Sequence, residues 1–388
     1  MKRKTKIFQI ITISVFALLL ILPTVQHYMN FIPVPVVGNE NRKLTEMPTF
    51  NYSQIDSFPL LFENYYNDNF PLRAQYLAPT FTITTAFGKS PIEKTVLGKD
   101  MFMFDKQEID RYTGKTAVSD SLLFKWVRDV KARNETLREM GIPLYIVIIP
   151  ISSEIYPEYL PKYVVRARET AMDKLCTLMS ERAPEVNFTY VKDLLLQKKD
   201  KGHLYYKYDV HWNHLAAYYT SEYLINTIKK DFPQIKPLDK DEFVFNVETN
   251  IRGCLIKPLV TTQNKEFFEE DPQYHIAYKD SSRTFTKGES RNYPIPKAIQ
   301  HLRGFDYQEV FVSKDTTAPK AFVIRDSFWR YMTDFVATRF RETVCIWDAW
   351  TYWDNLKKIQ QEKPDLVIME LYEQYFQNLA KFNELSQD

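Results

Sequence analysis

Residues 143–150 read PLYIVIIP, a nearly all-apolar run closed by a proline at each end. A strand with one wet face alternates polar and apolar residues. An unbroken apolar run of this length suits a strand covered on both faces, as in a parallel sheet. The flanks agree. Upstream, Ser119 to Met140 is amphipathic, with Leu122, Trp126, Val130 and Leu137 on its apolar side and Gly141 placed to end the helix. Downstream, a second helix is expected over 166–182 and a second strand over 186–195, VNFTYVKDLL, before a helix near 214–230. The same alternation returns after residue 310. KAFVIRDSF (320–328) reads as a strand ending at a polar step, FWRYMTDFVATRF as a helix and TVCIW as a strand. Trp353 to Glu362 reads as a helix and PDLVIMEL as a last strand. This order predicts an α/β fold, a doubly wound and mostly parallel sheet flanked by helices. Ligands of such sheets bind beyond the carboxyl ends of the strands.

The remaining segments read differently. Residues 240–310 alternate polar and apolar residues without helical period, which predicts a β-rich insertion. TVLGKDMFMFD (95–105) predicts a hairpin about Gly98-Lys99-Asp100. Residues 56–87 predict two helices broken at Pro71, with Asn67, Asp68 and Asn69 in a turn, and the proline-rich stretch 26–50 reads as a tether. At the N-terminus, MKRKTK supplies four cations and Ile7 to Val25 is nineteen residues without a charge. At 1.5 Å per residue this spans a hydrocarbon core of ~30 Å. The flanking cations predict a cytoplasmic N-terminus. A cleaved signal peptide is the rival reading, but the apolar region is long for one and PTVQHYM lacks an A-x-A site. Three domains are therefore expected: an anchor over 1–30, a tether and packing segment over 31–110, and a main α/β domain over 111–388 with its insertion near 240–310.

Composition narrows the function. The chain has 388 residues, 45% of them hydrophobic, and a net charge of +2, so no nucleic-acid footprint is indicated. Its three cysteines, Cys176, Cys254 and Cys345, include no C-x-x-C and read as small hydrophobes.

Two short stretches carry chemistry. In YKYDVHWNHL (207–216), Asp209 can flank His211 and fix its tautomer if the segment is extended or looped. Asn213 is a suitable N-cap for the helix that follows. Asp209 and His211 would then be the orienter and base of a triad. A strand-to-helix turn with a packed histidine competes. A metal site on Asp209, His211 and His214, with His203 as a fourth ligand, competes less well because the three ligands are hard to converge. In AFVIRDSFWRYM, Ser327 starts a helix at the carboxyl edge of the sheet, where backbone N–H groups can hold an oxyanion. An ordinary N-cap is the competing reading. Both stretches open on the same sheet edge, which favours Ser327 as nucleophile, His211 as general base and Asp209 as orienter. Asp326, Arg325, Ser153 and Glu370 fall at the same edge as pocket or support residues, with Ser152 and Tyr372. Arg325 reads otherwise as a salt-bridge residue. No cofactor or metal is called for.

In this order, NENRKLTEMP, FENYYNDNFPLR, LGKDMFMFD, GIPLYIVIIPISSEIYPEYLP, DVHW and IRDSF resemble the alginate O-acetyltransferase AlgX/AlgJ family and its DHHW relatives. The resemblance runs over about 39–375 and is weakest across 240–310. It implies an SGNH-hydrolase-like fold and a triad of Asp209, His211 and Ser327. It also implies a single-pass protein of the bacterial inner membrane with its catalytic domain outside the cytoplasm. The implied activity takes an acetyl group, delivered by a multi-spanning membrane acyltransferase, and places it on a hydroxyl of a secreted or capsular polysaccharide. Two positions depart from the pattern: Arg325 stands where a glycine is usual, and Ser153 where relatives often carry lysine. An acetylesterase with the same triad and a non-catalytic glycan-binding scaffold are the alternatives.

Overall fold

A computed structural model describes residues 2–29, 31, 45–52, 55–70, 83–90, 92–251, 253–256, 268–280, 285–295, 307–347 and 355–376. The tether at 32–44, most of the second N-terminal helix (71–82), and Tyr352 and Trp353 lie outside these residues. The chain divides into two units, Met1–Glu93 with Ile251–Glu269, and Lys94–Asn250 with Glu270–Asp388.

In the first unit, α1 (Lys2–Met29) contains the window Lys6–Pro23, long and apolar enough to cross a membrane. Helix α2 (Phe58–Asn69) extends through Asn67, Asp68 and Asn69, which therefore form a last helical turn rather than a loop. The Asp68 carboxylate accepts from the Thr45 N–H and hydroxyl at 2.9 and 2.6 Å. Phe70 is extended (φ −58°, ψ 122°), as the residue before a proline must be.

The second unit begins with the expected hairpin, β1 (Thr95–Leu97) and β2 (Met103–Asp105). A Cβ on Gly98 would lie 2.4 Å from the Tyr159 carbonyl oxygen, so only glycine fits there. Then follow α3 (Lys106–Tyr112), α4 (Asp120–Glu139), β3 (Leu144–Ile149), α5 (Ala171–Arg182), β4 (Asn187–Tyr190), α6 (Lys192–Lys198) and α7 (His214–Ile228). The later elements are β5 (Phe243–Asn250), β6 (Asp271–Tyr278), β7 (Thr286–Lys287), β8 (Gln308–Val312), β9 (Lys320–Arg325), β10 (Glu342–Trp347), α8 (Asn355–Glu362) and β11 (Leu366–Tyr372).

Seven strands form one sheet in the order β4-β3-β11-β9-β10-β8-β7. The first five are parallel; β8 and β7 add antiparallel at one side. The sheet is thus mixed, and the segment expected as a separate β-rich insertion supplies two of its strands as well as the hairpin β5–β6. Alternate residues of each parallel strand enter opposite cores. Tyr145, Val147, Val323, Cys345 and Ile368 join one core with Ile109 of α3, Leu195 of α6 and Leu215 and Ile225 of α7. Ile146, Ile148, Phe322, Val344 and Met369 join the other with Trp126 of α4, Leu175 of α5 and Ile359 of α8. Both faces being covered is why PLYIVIIP carries no polar alternation.

Three local readings change. The strand expected over 186–195 stops at Tyr190, and KDLLLQK becomes helical. The helix expected from 166 starts at Ala171, where Thr170 and Asp173 form a capping box. The helix expected after Ser327 is broken into a 3₁₀ turn Phe328–Tyr331, one α turn Thr333–Val336 and a 3₁₀ turn Ala337–Arg339.

Candidate active site

The segment after β4 bends back on itself before α7 begins. Tyr205 bridges Trp212, the Tyr206 N–H donates to the His211 carbonyl (3.2 Å), and the Asn213 N–H to the Leu204 carbonyl (2.9 Å). Asn213 then caps α7, its Oδ1 accepting from the N–H groups of Leu215 and Ala216 at 2.9 and 3.3 Å. The loop between these ties holds Asp209 and His211. One oxygen of Asp209 accepts both the His211 backbone N–H (3.1 Å) and lies 2.6 Å from its Nδ1. That Asx turn fixes the ring and assigns the proton to Nδ1.

The other ring nitrogen reaches across the chain. His211 Nε2 lies 2.7 Å from the Ser327 Oγ, 116 residues away in sequence. Ser327 occupies the N-cap position of the 3₁₀ turn, yet its hydroxyl makes no capping bond. Asp326 caps instead, accepting from the Phe328 N–H at 2.8 Å. The Ser327 side chain thus faces the histidine and does not cap the turn. The His211 and Asp209 side chains are 21% and 18% exposed, so the line is reachable from solvent.

Trp212 locks the two segments together. It is fully buried, donates through Nε1 to the Phe328 carbonyl (3.1 Å), and packs on the Phe328 ring at 5.8 Å. Phe328 also lies 4.7 Å from the His211 ring and stacks on Tyr372 at 4.1 Å. Trp212 was legible only as the fourth letter of DVHW; its role as a tie was not.

The support residues separate. Arg325 is buried; it meets Glu309 Oε2 of β8 at 2.5 Å and lies 5.7 Å from the ring of Trp347 at the end of β10. Asp326 and Glu370 are buried side by side beneath Ser327. Ser152 and Ser153 are buried at the end of β3, Ser152 donating to Glu108 Oε2 at 2.8 Å. Glu108 also accepts from the Tyr372 hydroxyl. Burial pushes its carboxyl up to about 8. Burial likewise pushes Glu373 up to about 7; it accepts from the Ile151 N–H (3.0 Å) and the Tyr190 hydroxyl (2.8 Å). Neither acid was singled out from sequence. The available signal was an acid on the apolar stripe of a short helix, KQEIDRY, and another closing an apolar run, LVIMELYE.

His214 is not brought to the site's hydrogen-bonded line. It opens α7 against Tyr331 and His275, and burial lowers it to about 4. Among the described residues, no group of three histidine, cysteine or acidic side chains is placed to hold a metal ion.

Residues 95–286 match the family described as SGNH hydrolase-like domain, acetyltransferase AlgX. The chain is AlgX/AlgJ-like. It is 25% identical over 138 residues to a probable alginate O-acetylase AlgJ of Pseudomonas putida, covering 35% of this chain and 34% of that one. The corresponding protein of Pseudomonas aeruginosa is 23% identical over 156 residues, covering 40% and 38%. The chain thus matches little more than a third of the length of these relatives. In structure it is similar to Bacillus cereus PatB1, with a TM-score of 0.57 and 15% identity, over 74% of this chain and 99% of that one. At that identity the likeness speaks for the fold.

Proposed function

We propose that this AlgX/AlgJ-like chain is an O-acyltransferase that places acetyl groups on hydroxyls of a secreted or capsular polysaccharide. The observation that carries the reading is the line Ser327 Oγ, His211 Nε2, His211 Nδ1, Asp209 Oδ1, with steps of 2.7 and 2.6 Å at the carboxyl edge of the sheet. His211 takes the Ser327 proton as the Oγ attacks the donor carbonyl, and Asp209 stabilises the imidazolium. The Ser327 backbone N–H stabilises the oxyanion. The donor leaving group departs with the proton, leaving an acyl-serine. A sugar hydroxyl then attacks, giving its proton to His211, which returns it to Ser327. The AlgJ names of the relatives support acetyl as the group and a glycan as acceptor. In this reading 1–30 anchor the chain in the inner membrane, 31–110 link, and 111–388 carry the chemistry outside the cytoplasm. The acetyl donor is delivered by a multi-spanning membrane acyltransferase.

The test is to incubate the purified protein with a chromogenic acetyl ester, with and without oligosaccharides. Transfer predicts acetylated sugar and faster ester consumption when acceptor is present. Ester hydrolysis with no acetylated sugar from any acceptor would assign the same residues to an esterase.

A further inference from the structure

Beneath Ser327 lie two acids that the mechanism above leaves unused. Asp326 and Glu370 are 1% and 0% exposed. Asp326 Oδ1 accepts from the Phe328 N–H at 2.8 Å, and its Oδ2 from the Tyr372 N–H at 2.6 Å. Glu370 Oε2 accepts from the Asp326 N–H at 3.0 Å. The backbone on both sides of Ser327 is therefore held by carboxyl oxygens. Glu370 Oε1 is buried and meets no donor among the described residues. A carboxylate oxygen left so would cost a desolvation penalty with nothing to offset it, and two adjacent buried carboxylates would also repel. One proton resolves both problems. Asp326 already receives N–H bonds on both oxygens, so it is the better place for the charge. Glu370, with an oxygen to spare, is the better place for the proton. Arg325 is near enough for its charge to oppose the rise of Glu370, but its guanidinium donates to Glu309 and to the Asp326 carbonyl, and Glu370 Oε1 receives no hydrogen bond among the described residues.

We propose that Glu370 and Asp326 share a single proton, and that this carboxyl pair positions the Ser327 turn for attack. Both are positioning residues, and the proposal rests on the acyl-transfer reading only for its catalytic consequence. Burial and the neighbouring Asp326 charge hold Glu370 well above the usual carboxylate range. Among the described residues, Arg325 at the end of β9 and His211 on the loop before α7 are the charged groups that act most on the pair. Glu108 of α3 joins the same layer through Tyr372.

The sign of the pH effect follows. An unfolded glutamate ionises near pH 4.3, while the folded pair keeps its proton, so folding stability falls as pH rises from there. Glu370→Gln keeps an acceptor for the Asp326 N–H and a donor for its carboxylate but has no proton to lose. Its melting temperature relative to the wild type should therefore climb steadily from pH 4.5 to 7.5. Glu370→Ala should lower kcat for ester turnover by about ten- to a hundredfold with KM little changed, as expected for a displaced turn, and Glu370→Gln should recover most of that loss. A melting-temperature gap that stays flat or narrows with pH would show Glu370 ionised in the fold and overturn the pair. So would wild-type kcat in Glu370→Ala. Should Glu370→Ala fail to fold, the Glu370→Gln series decides alone. Should the wild type prove inactive toward every ester, the functional reading falls while the melting series still tests the pair.

Discussion

The two ends of the parallel sheet both hold acids, one buried glutamate among partly exposed acids where the strands begin and several buried acids where they finish, and the two ends treat them differently. At the end where the strands begin, acids meet cations. Glu362 accepts from Lys320 Nζ (2.7 Å), Arg291 Nε (2.9 Å) and the Tyr293 hydroxyl (2.7 Å). Glu342 pairs with Arg291, and Asp365 meets Arg341 at 2.8 Å. Burial raises Glu362, but Lys320, Tyr293 and Arg291 outweigh it and hold the carboxyl below its usual range. At the end where the strands finish, Glu309 pairs with Arg325 and Glu154 with Arg166 and Lys192, but the acids that adjoin Ser327 and Tyr372 meet tyrosines, backbone N–H groups and one another. Glu108, Glu373 and Glu370 are all pushed up, burial being the largest cause in each. Burial is common to both ends; the partner decides the direction. Paired acids staple strand starts together. Protonated acids cost stability as pH rises, and a fold keeps such an arrangement where it positions chemistry.

The comparison breaks first if the two ends do not differ in chemistry. Ser327→Ala should reduce ester turnover by about a thousandfold or more while leaving the melting temperature near that of the wild type. Turnover within tenfold of the wild type would remove the serine from the mechanism and leave the strand finishes as mere structure. Asp209→Asn should cost somewhat less, about a hundred- to ten-thousandfold, because the amide can present an N–H to Nδ1 and favour the wrong tautomer. The check is kcat against pH: the loss should persist across the profile instead of being recovered at high pH.

How far the sequence carried these residues depends on the range of the interactions that hold them. The strands β3, β9, β10 and β11 were legible because cover on both faces writes itself as an apolar run. Asn213 was legible because capping is local. From the residues themselves, the convergence of Asp209, His211 and Ser327 was legible as an inference from two strand exits on one edge, and the family resemblance implied the same three; the 2.7 Å contact bridges 116 residues and leaves no local mark. Helix α6 was misread as strand because VKDLL has apolar residues that suit either period over so short a stretch. The joining of β7 and β8 to the main sheet was missed for a related reason: Thr286–Lys287 is two residues long and exposed, and pairing partners are not encoded in a segment's own pattern. The raised acids were missed because a buried glutamate and a solvated one look alike until the fold supplies the neighbours.

Glu108 sharpens the comparison on the finishing side. It accepts from Ser152 and Tyr372 and meets no cation in those contacts. With its carboxyl near 8 when folded and near 4.3 when unfolded, it contributes stability fully below about pH 4 that is lost as pH rises toward 8. Glu108→Gln removes that titration. The variant should match or trail the wild type at pH 4.5 and exceed it by about 2 kcal/mol at pH 8, a few degrees in melting temperature. Thermal melts at four or five pH values settle the slope. A difference that does not grow with pH means the carboxyl ionises in place.

Glu362 on the starting side should give the mirror image with a smaller amplitude. Its side chain is 5% exposed, but Arg291 is 28% exposed, so part of the pairing is screened by solvent. A lowered carboxyl contributes stability above the unfolded value near 4.3 and loses it as pH falls through the folded one. Glu362→Gln keeps a hydrogen-bond acceptor for Lys320 and Arg291 while removing the charge, so the expected loss is about 1 kcal/mol at pH 7.5. That loss should shrink toward zero near pH 3.5, and ester turnover at pH 7.5 should be unchanged. Urea midpoints at the two pH values, with turnover measured on the same preparation, give both readouts. A penalty that persists in acid would mean the carboxylate acts by packing instead of charge. A fall in turnover would couple the two ends of the sheet and end the contrast between staple and site.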